Sequence, residues 1–221
     1  MRIAVTGMKR LGGRLSRVAV GLGMALAAFV GTGSDAAAQT LAALPAPSLS
    51  AATTAPAKPI VAWVEFCERY AAECRIDPSE PAFIALTPAT WATITGINKR
   101  INRAVQAVTD LDHWRVADRW DLAEDGRGDC EDFQLLKRSL LAEAGLPRRA
   151  MRMTVVVDEK GEGHAVLTLI TNRGDLILDN KTNAVLPWRQ TGYTFIKRES
   201  QDTVAWLSLS RDPSPITTAN R

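Results

Sequence analysis

The chain has 221 residues, enough for one domain with accessory segments, and its 46% hydrophobic and 23% charged composition is that of a globular protein. The formal charge of +3 is misleading: the first 38 residues hold five basic side chains (Arg2, Lys9, Arg10, Arg14, Arg17) against one acid, Asp35. The remainder, with 22 basic and 23 acidic side chains, is near neutral and gives no sign of the basic face that nucleic-acid binding requires.

Residues 1–38 read as a secretory signal peptide. A basic stretch ending at Arg17 precedes an apolar run from Val18 to Val30, shorter than the roughly 20 residues of a spanning helix, and Ala36-Ala37-Ala38 fits an A-x-A cleavage site. The competing reading is an uncleaved anchor. Cleavage leaves no stable membrane span and implies the periplasm or secretion beyond it. Residues 39–59 are Ala, Pro, Ser and Thr with almost no charge, a linker expected to be disordered. The folded domain is expected over 60–210, followed by a tail at 211–221.

An oxidising compartment changes how cysteines are read. Cys67 and Cys74 are the obvious local disulfide pair, which leaves Cys130 as a free thiol. At 1.5 Å per residue a continuous helix would hold their Cα atoms about 10.5 Å apart, beyond the ~7 Å limit for a disulfide. The chain is therefore expected to turn near Tyr70 to Glu73.

Apolar residues at helical spacing (Ile94, Ile97, Ile101, Ala104, Val105, Val108) predict a helix over 90–108. Residues 109–128 look loop-rich, with His113 expected to be exposed and Trp114 and Trp120 to serve packing. A second helix is predicted over 129–144, with Asp129 as N-cap, Phe133, Leu136, Leu140 and Leu141 as its stripe, and Gly145 and Pro147 as its stop. Strands are predicted at 151–157, 164–171 and 176–178, with one or two more at 193–197 and 204–209. Helices followed by an antiparallel meander give an α+β fold.

Cys130 opens the second helix after Gly126-Arg127-Gly128-Asp129. A helix N-terminus favours a thiolate, and its unpaired N–H groups can face an oxyanion. Thiolate chemistry needs a base, and the chain beyond the signal holds only His113 and His164. His164 opens an apolar strand beside a flexible turn. Hairpin pairing about the turn near residue 173 places it opposite about residue 182, within cross-strand reach of Asp179. Asp179 is thus the candidate acceptor that orients the base. One free cysteine and two distant histidines lack the usual zinc spacing.

Gly128-Asp129-Cys130-Glu131-Asp132-Phe133, Gly163-His164-Ala165-Val166-Leu167 and Leu178-Asp179-Asn180, in this order and spacing, resemble the three catalytic blocks of the bacterial transglutaminase-like cysteine peptidases, among them the LapG-type periplasmic proteases that release surface adhesins. Asp118-Arg119-Trp120 and the segment from Tyr193 to Arg198 resemble flanking parts of that family. The resemblance spans roughly 60–207. It implies a papain-like, transglutaminase-like core with Cys130 as nucleophile, His164 as base and Asp179 as orienter. It also implies a protein substrate that is exported or surface-attached, no organic cofactor, and a calcium site at Asp129, Glu131 and Asp132.

Electrostatics bears on that metal independently. Carboxylates beside a thiol oppose thiolate formation, and a divalent cation would neutralise them. Asp121, Glu124 and Asp125 offer further oxygens. The alternative is that Asp129 caps the helix while Glu131 and Asp132 point into solvent. Three functions stay open on sequence: a peptidase, a transamidase or cell-wall amidase using the same triad, and a non-catalytic periplasmic binding module.

Overall fold

A computed structural model describes residues 43–209. The expected signal peptide at 1–38 and tail at 211–221 lie outside these residues. No described helix is long and apolar enough to cross a membrane.

The chain enters through a short strand, β1 (Pro56–Ala57), and two helices, α1 (Val61–Arg69) and α2 (Ala71–Cys74). Tyr70 breaks the helical path between them, and the Cys67–Cys74 disulfide closes over that break with its Cα atoms 5.6 Å apart. The turn expected from helix geometry is therefore present. The long helix α3 (Pro88–Ala104) starts with Thr87 as N-cap, whose hydroxyl accepts from Thr90 N–H at 3.2 Å, and with proline in its first turn. It ends four residues before the predicted limit. Val105 turns extended, and β2 (Gln106–Ala107) pairs in parallel with β3 (Arg127–Gly128). The expected loop between those strands contains a further short helix, α4 (Asp110–Trp114), capped by Thr109.

Helix α5 (Cys130–Glu143) follows with Asp129 as N-cap. The strands β4 (Met151–Val157), β5 (Gly163–Thr171), β6 (Gly174–Leu178), β8 (Thr194–Glu199) and β9 (Trp206–Ser208) then come almost as predicted, with an unexpected short strand β7 (Leu186–Pro187) between β6 and β8 in the chain. They form one antiparallel sheet in the order β1-β9-β8-β4-β5-β6-β7. Helix α5 packs on β4 and β5, and α3 packs on α5.

The sheet buries both faces, so β5 reads as a continuous apolar run rather than an alternating one. Ala165, Leu167 and Leu169 join Leu135 and Leu141 of α5 and Met151, Met153 and Val155 of β4 in the main core, with Trp120 and Trp206. Val166 meets Val156, Ile177 and Phe195 in a second cluster. A charged knot crosses the main core: the buried Glu199 carboxylate accepts from Arg138 Nη1 at 2.8 Å, Trp63 Nε1 at 2.6 Å and Met153 N–H at 2.8 Å. Burial pushes Glu199 up, but Arg138 and Arg152 outweigh it and hold the carboxyl below its usual range.

Residues 48–57, expected as part of a disordered linker, are laid along the domain. Ser48 N–H donates to Arg173 O at 2.9 Å, Ala51 N–H to an Asp175 carboxylate oxygen at 3.0 Å, and Thr54 N–H to Ser208 O at 2.8 Å. Trp188 Nε1 donates to Leu49 O at 2.7 Å. These bonds use backbone groups, which is why a composition poor in large side chains carries no sign of them. Gly174, at φ +95°, makes the tight turn into β6, and a Cβ there would lie 2.5 Å from Ser48 O. Only glycine fits both the turn and the passing chain.

Candidate active site

Cys130 is the first residue of α5 and is 1% exposed. It lies on the floor of a cleft of about 170 Å³ lined by Ala107, Val108, Thr109, Asp129 and Asn180. The parallel β2–β3 pair builds this cleft, since it brings Ala107 and Val108 beside Gly128 just before the nucleophile position. A Cβ on Gly128 would sit 2.6 Å from Asp132 Cβ, so glycine is what lets the first turn of α5 close on the strand.

The thiol donates to Glu131 Oε2 at 3.0 Å. Burial, followed by the charge of Asp129, pushes the Cys130 thiol up to about 12; Glu131 and the backbone of Ala165 offset only part of this. The expected benefit of the helix N-terminus is therefore outweighed by burial and the neighbouring acids.

His164, the second residue of β5, is buried, and its Nε2 lies 2.9 Å from Asp179 Oδ1. The β5–β6 register pairs Leu167 with Leu178, so residue 164 falls opposite 181 by extension, one residue from the hairpin expectation. Asp179 sits just past β6 and is held from every side. Its Oδ2 accepts from Tyr193 OH at 2.6 Å and its Oδ1 from Lys181 N–H at 3.0 Å. Its carbonyl accepts from Asn102 Nδ2 at 2.9 Å and Lys137 Nζ at 3.0 Å. Burial raises the Asp179 carboxyl, but the hydrogen bond and charge of His164, then Tyr193, more than reverse this and hold it below the usual range. Tyr193 also packs edge-on to the imidazole, with ring centroids 5.7 Å apart.

His164 Nδ1 is buried and has no hydrogen-bond partner among the described residues. No hydrogen bond joins it to Cys130 in this structure, where the thiol turns to Glu131. The structure thus brings His164 and Asp179 into contact, and brings Cys130 to Ala165, the next residue of β5. The imidazole offers one held nitrogen and one free one, the arrangement a general base needs.

Five acids crowd the nucleophile position. Asp110, Asp118 and Glu131 converge with oxygen atoms within 4.8 Å of one another, as do Asp110, Asp129 and Asp132, and as do Asp129 and Glu131 with the Cys130 sulfur. Glu131 is 1% exposed and Asp132 is fully buried, which overturns the alternative that they point into solvent. Asp132 does take part in capping, accepting from Asp129 N–H at 3.3 Å and from Asp121 N–H at 2.6 Å. One oxygen each of Asp110, Asp118 and Asp129 is buried without a hydrogen-bond partner among the described residues.

Burial and then the neighbouring charge of Asp129 raise Asp110 and Asp118 to about 6 and Asp132 to about 9. Burial, and after it the charges of Cys130 and Asp129, drives Glu131 well above its usual value. Hard oxygen donors, three of them orphaned, fit a divalent cation such as calcium.

Asp110 and Asp118 complete this cluster in place of the expected loop acids. Asp121 is engaged by Tyr70 and Arg119, and Asp125 by His113. No local pattern marks Asp110, which α4 carries against β3, and the resemblance of Asp118-Arg119-Trp120 to a family segment does not mark Asp118 as part of an acidic cluster. The expectation for His113 also fails. Its side chain is 5% exposed, with Nε2 2.7 Å from Asp125 and the ring stacked on Trp114. Trp120 is a core residue as expected, and Trp114 lies under the Arg119 guanidinium at 4.3 Å.

Among solved structures, calcium-bound LapG of Legionella pneumophila is 22% identical, covering 59% of this chain and 74% of that one at a TM-score of 0.46. The EGTA-treated form of the same protein is 21% identical, covering 71% and 88% at a TM-score of 0.47. No curated protein sequence matches the chain. The profile of the bacterial transglutaminase-like cysteine proteinases matches residues 52–214, which takes in every strand and helix described above. With a matched region of that extent, the chain belongs to the bacterial transglutaminase-like cysteine proteinase family and is a cysteine peptidase.

Proposed function

We propose that this peptidase hydrolyses amide bonds of an exported or cell-surface protein through a Cys130–His164–Asp179 triad and a thioester intermediate. The observation that carries the reading is the buried His164, with Nε2 on Asp179 and Nδ1 free, on the strand whose next residue meets the Cys130 thiol. The thiol proton passes to Nδ1 as sulfur attacks the scissile carbonyl carbon. The same nitrogen then protonates the leaving amine. His164 next takes a proton from water, which attacks the thioester and releases the acid. Asp179 keeps Nε2 protonated and stabilises the imidazolium. The Cys130 N–H, at the open end of α5, faces the oxyanion.

Asp110, Asp118, Asp129, Glu131 and Asp132 are the residues that would hold calcium. Bound there, it would neutralise the acids that oppose the thiolate. The N-terminal segment, read as a signal peptide, supports action in the periplasm or beyond it.

The test combines thiol labelling with a comparison of cell-surface proteins from cells carrying active or inactive enzyme. Iodoacetamide should modify Cys130 and abolish cleavage. Cys130→Ala and His164→Ala should remove it, with Asp179→Asn equal or milder; loss of a triad member lowers turnover by about 10⁴-fold or more. Full activity in Cys130→Ala would overturn the proposal.

A further inference from the structure

We propose that Lys137 is a positioning residue that ties the helix bearing the nucleophile to the main chain of Asp179, an inference that rests on the triad reading above. Cys130, Gln134, Lys137 and Leu141 follow at helical spacing on α5, and all four are buried. A lysine in such a stripe calls for a reason, because burying an ammonium is costly unless acceptors meet it.

Lys137 is 0% exposed, and its Nζ has two acceptors among the described residues: Gln134 Oε1 at 3.2 Å and Asp179 O at 3.0 Å. The first lies on its own helix. The second belongs to the residue whose side chain holds His164. The Phe133 ring lies 5.9 Å away.

Asn102 of α3 donates to the same Asp179 carbonyl at 2.9 Å and to Thr182 O at 2.9 Å. Two helices therefore converge on one main-chain oxygen. Of the two donors, only Lys137 shares a helix with Cys130. Any shift of Asp179 along the sheet direction must stretch this bond, so the spacing between thiol and imidazole is set partly by the amine. Burial, countered only by Asp179, brings Lys137 down to about 7. A neutral amine has two N–H donors, matching its two acceptors, so loss of the charge leaves both bonds in place.

The experiment uses the full chain with its disulfide intact, in calcium-containing buffer, with Lys137→Met and Lys137→Gln as variants. Met keeps the length of the side chain and removes the donors; Gln retains a donor. Two readouts are taken beside the melting temperature. One is the downfield resonance of the His164 Nε2 proton; with only two histidines in the chain, His113 serves as internal reference. The other is the rate at which iodoacetamide alkylates Cys130, with His164→Ala as control.

Lys137→Met should lose the His164 resonance to solvent exchange and alkylate at least tenfold more slowly, while the His113 signal and the melting temperature hold. Lys137→Gln should recover most of both readouts. An unchanged His164 resonance in Lys137→Met overturns the inference; if Met does not fold, loss of the resonance in a folded Lys137→Gln overturns it. Unchanged alkylation in His164→Ala overturns the triad reading instead, and the resonance still reports separately on Lys137.

Discussion

Calcium should stabilise this protein, and by more at neutral than at acidic pH. The perturbation is removal of divalent cations with a chelator, followed by return of calcium. Asp129 and four further carboxylates crowd the nucleophile position, and three of the five have a buried oxygen without a partner among the described residues. Burial and the neighbouring charge of Asp129 raise Asp110 and Asp118 to about 6, against about 3.9 in an unfolded chain. Between roughly pH 4 and 6 the folded state thus binds more protons than the unfolded state, and its stability falls as pH rises. Asp132, at about 9, extends that fall through neutrality. A bound cation replaces those protons and removes the loss. At a free concentration one hundred times Kd, a ligand specific for the folded state adds about 2.7 kcal/mol. For a domain of this size each kcal/mol moves the melting temperature by about 2–4 °C. The expected gain is therefore roughly 5–11 °C at pH 7.5 and smaller at pH 5. Differential scanning fluorimetry across that range, with magnesium as the competing ion, is sufficient. Superimposable curves with chelator and calcium at every pH would refute the reasoning, as would an undiminished calcium response in Asp110→Asn with Asp118→Asn.

Tyr193→Phe removes the 2.6 Å donor to Asp179 Oδ2 and should lower turnover about tenfold, the equivalent of one charge-assisted hydrogen bond, with little change in melting temperature; unaltered turnover would remove Tyr193 from the site. Thiol counting on the unreduced protein should find one free thiol, Cys130, and Cys67→Ser with Cys74→Ser should cost about 2–3 kcal/mol in urea denaturation for so short a loop. Glu199→Gln removes the nearer counter-charge of the buried Arg138 guanidinium, leaving only Glu73 at 4.0 Å, and should cost about 3–5 kcal/mol; a loss below about 1 kcal/mol would mean that the knot is energetically idle.

The meander was the most legible part of the fold. Met151 to Val157 forms the strand its apolar run predicts, and the turns at Asp158–Gly161 and Asn172–Gly174 carry their own chemistry in neighbouring residues. Cys130, His164 and Asp179 stand out as candidates because their three short blocks come in order along the chain, the first opening α5 and the other two lying at β5 and just past β6. Two-residue strands were not legible. β1, β2, β3 and β7 exist through backbone pairing with distant partners, and no periodicity fits within two residues. Asp110 and Asp118 sit in a stretch that reads as polar loop, and only the tertiary fold, with Asp110 opening α4 and Asp118 following it, gathers them beside the nucleophile position. Lys137 was hidden for another reason. Its neighbours Leu135, Leu136 and Leu140 made α5 read as an amphipathic helix, on which a lysine belongs in water.

The pairing of β1 with β9 has a bearing on aggregation. Without Pro56 and Ala57 across from Trp206 and Leu207, β9 would be the outermost strand and present its hydrogen-bonding edge to any extended chain nearby. Proline has no N–H, so β1 closes that edge with a strand that is itself a poor template for further addition. A recombinant chain begun at Ile60, where composition first turns globular, would keep every residue of the catalytic cleft and still lose this guard. Such a chain should show concentration-dependent self-association, while one begun before Ser48 should stay monodisperse in light scattering.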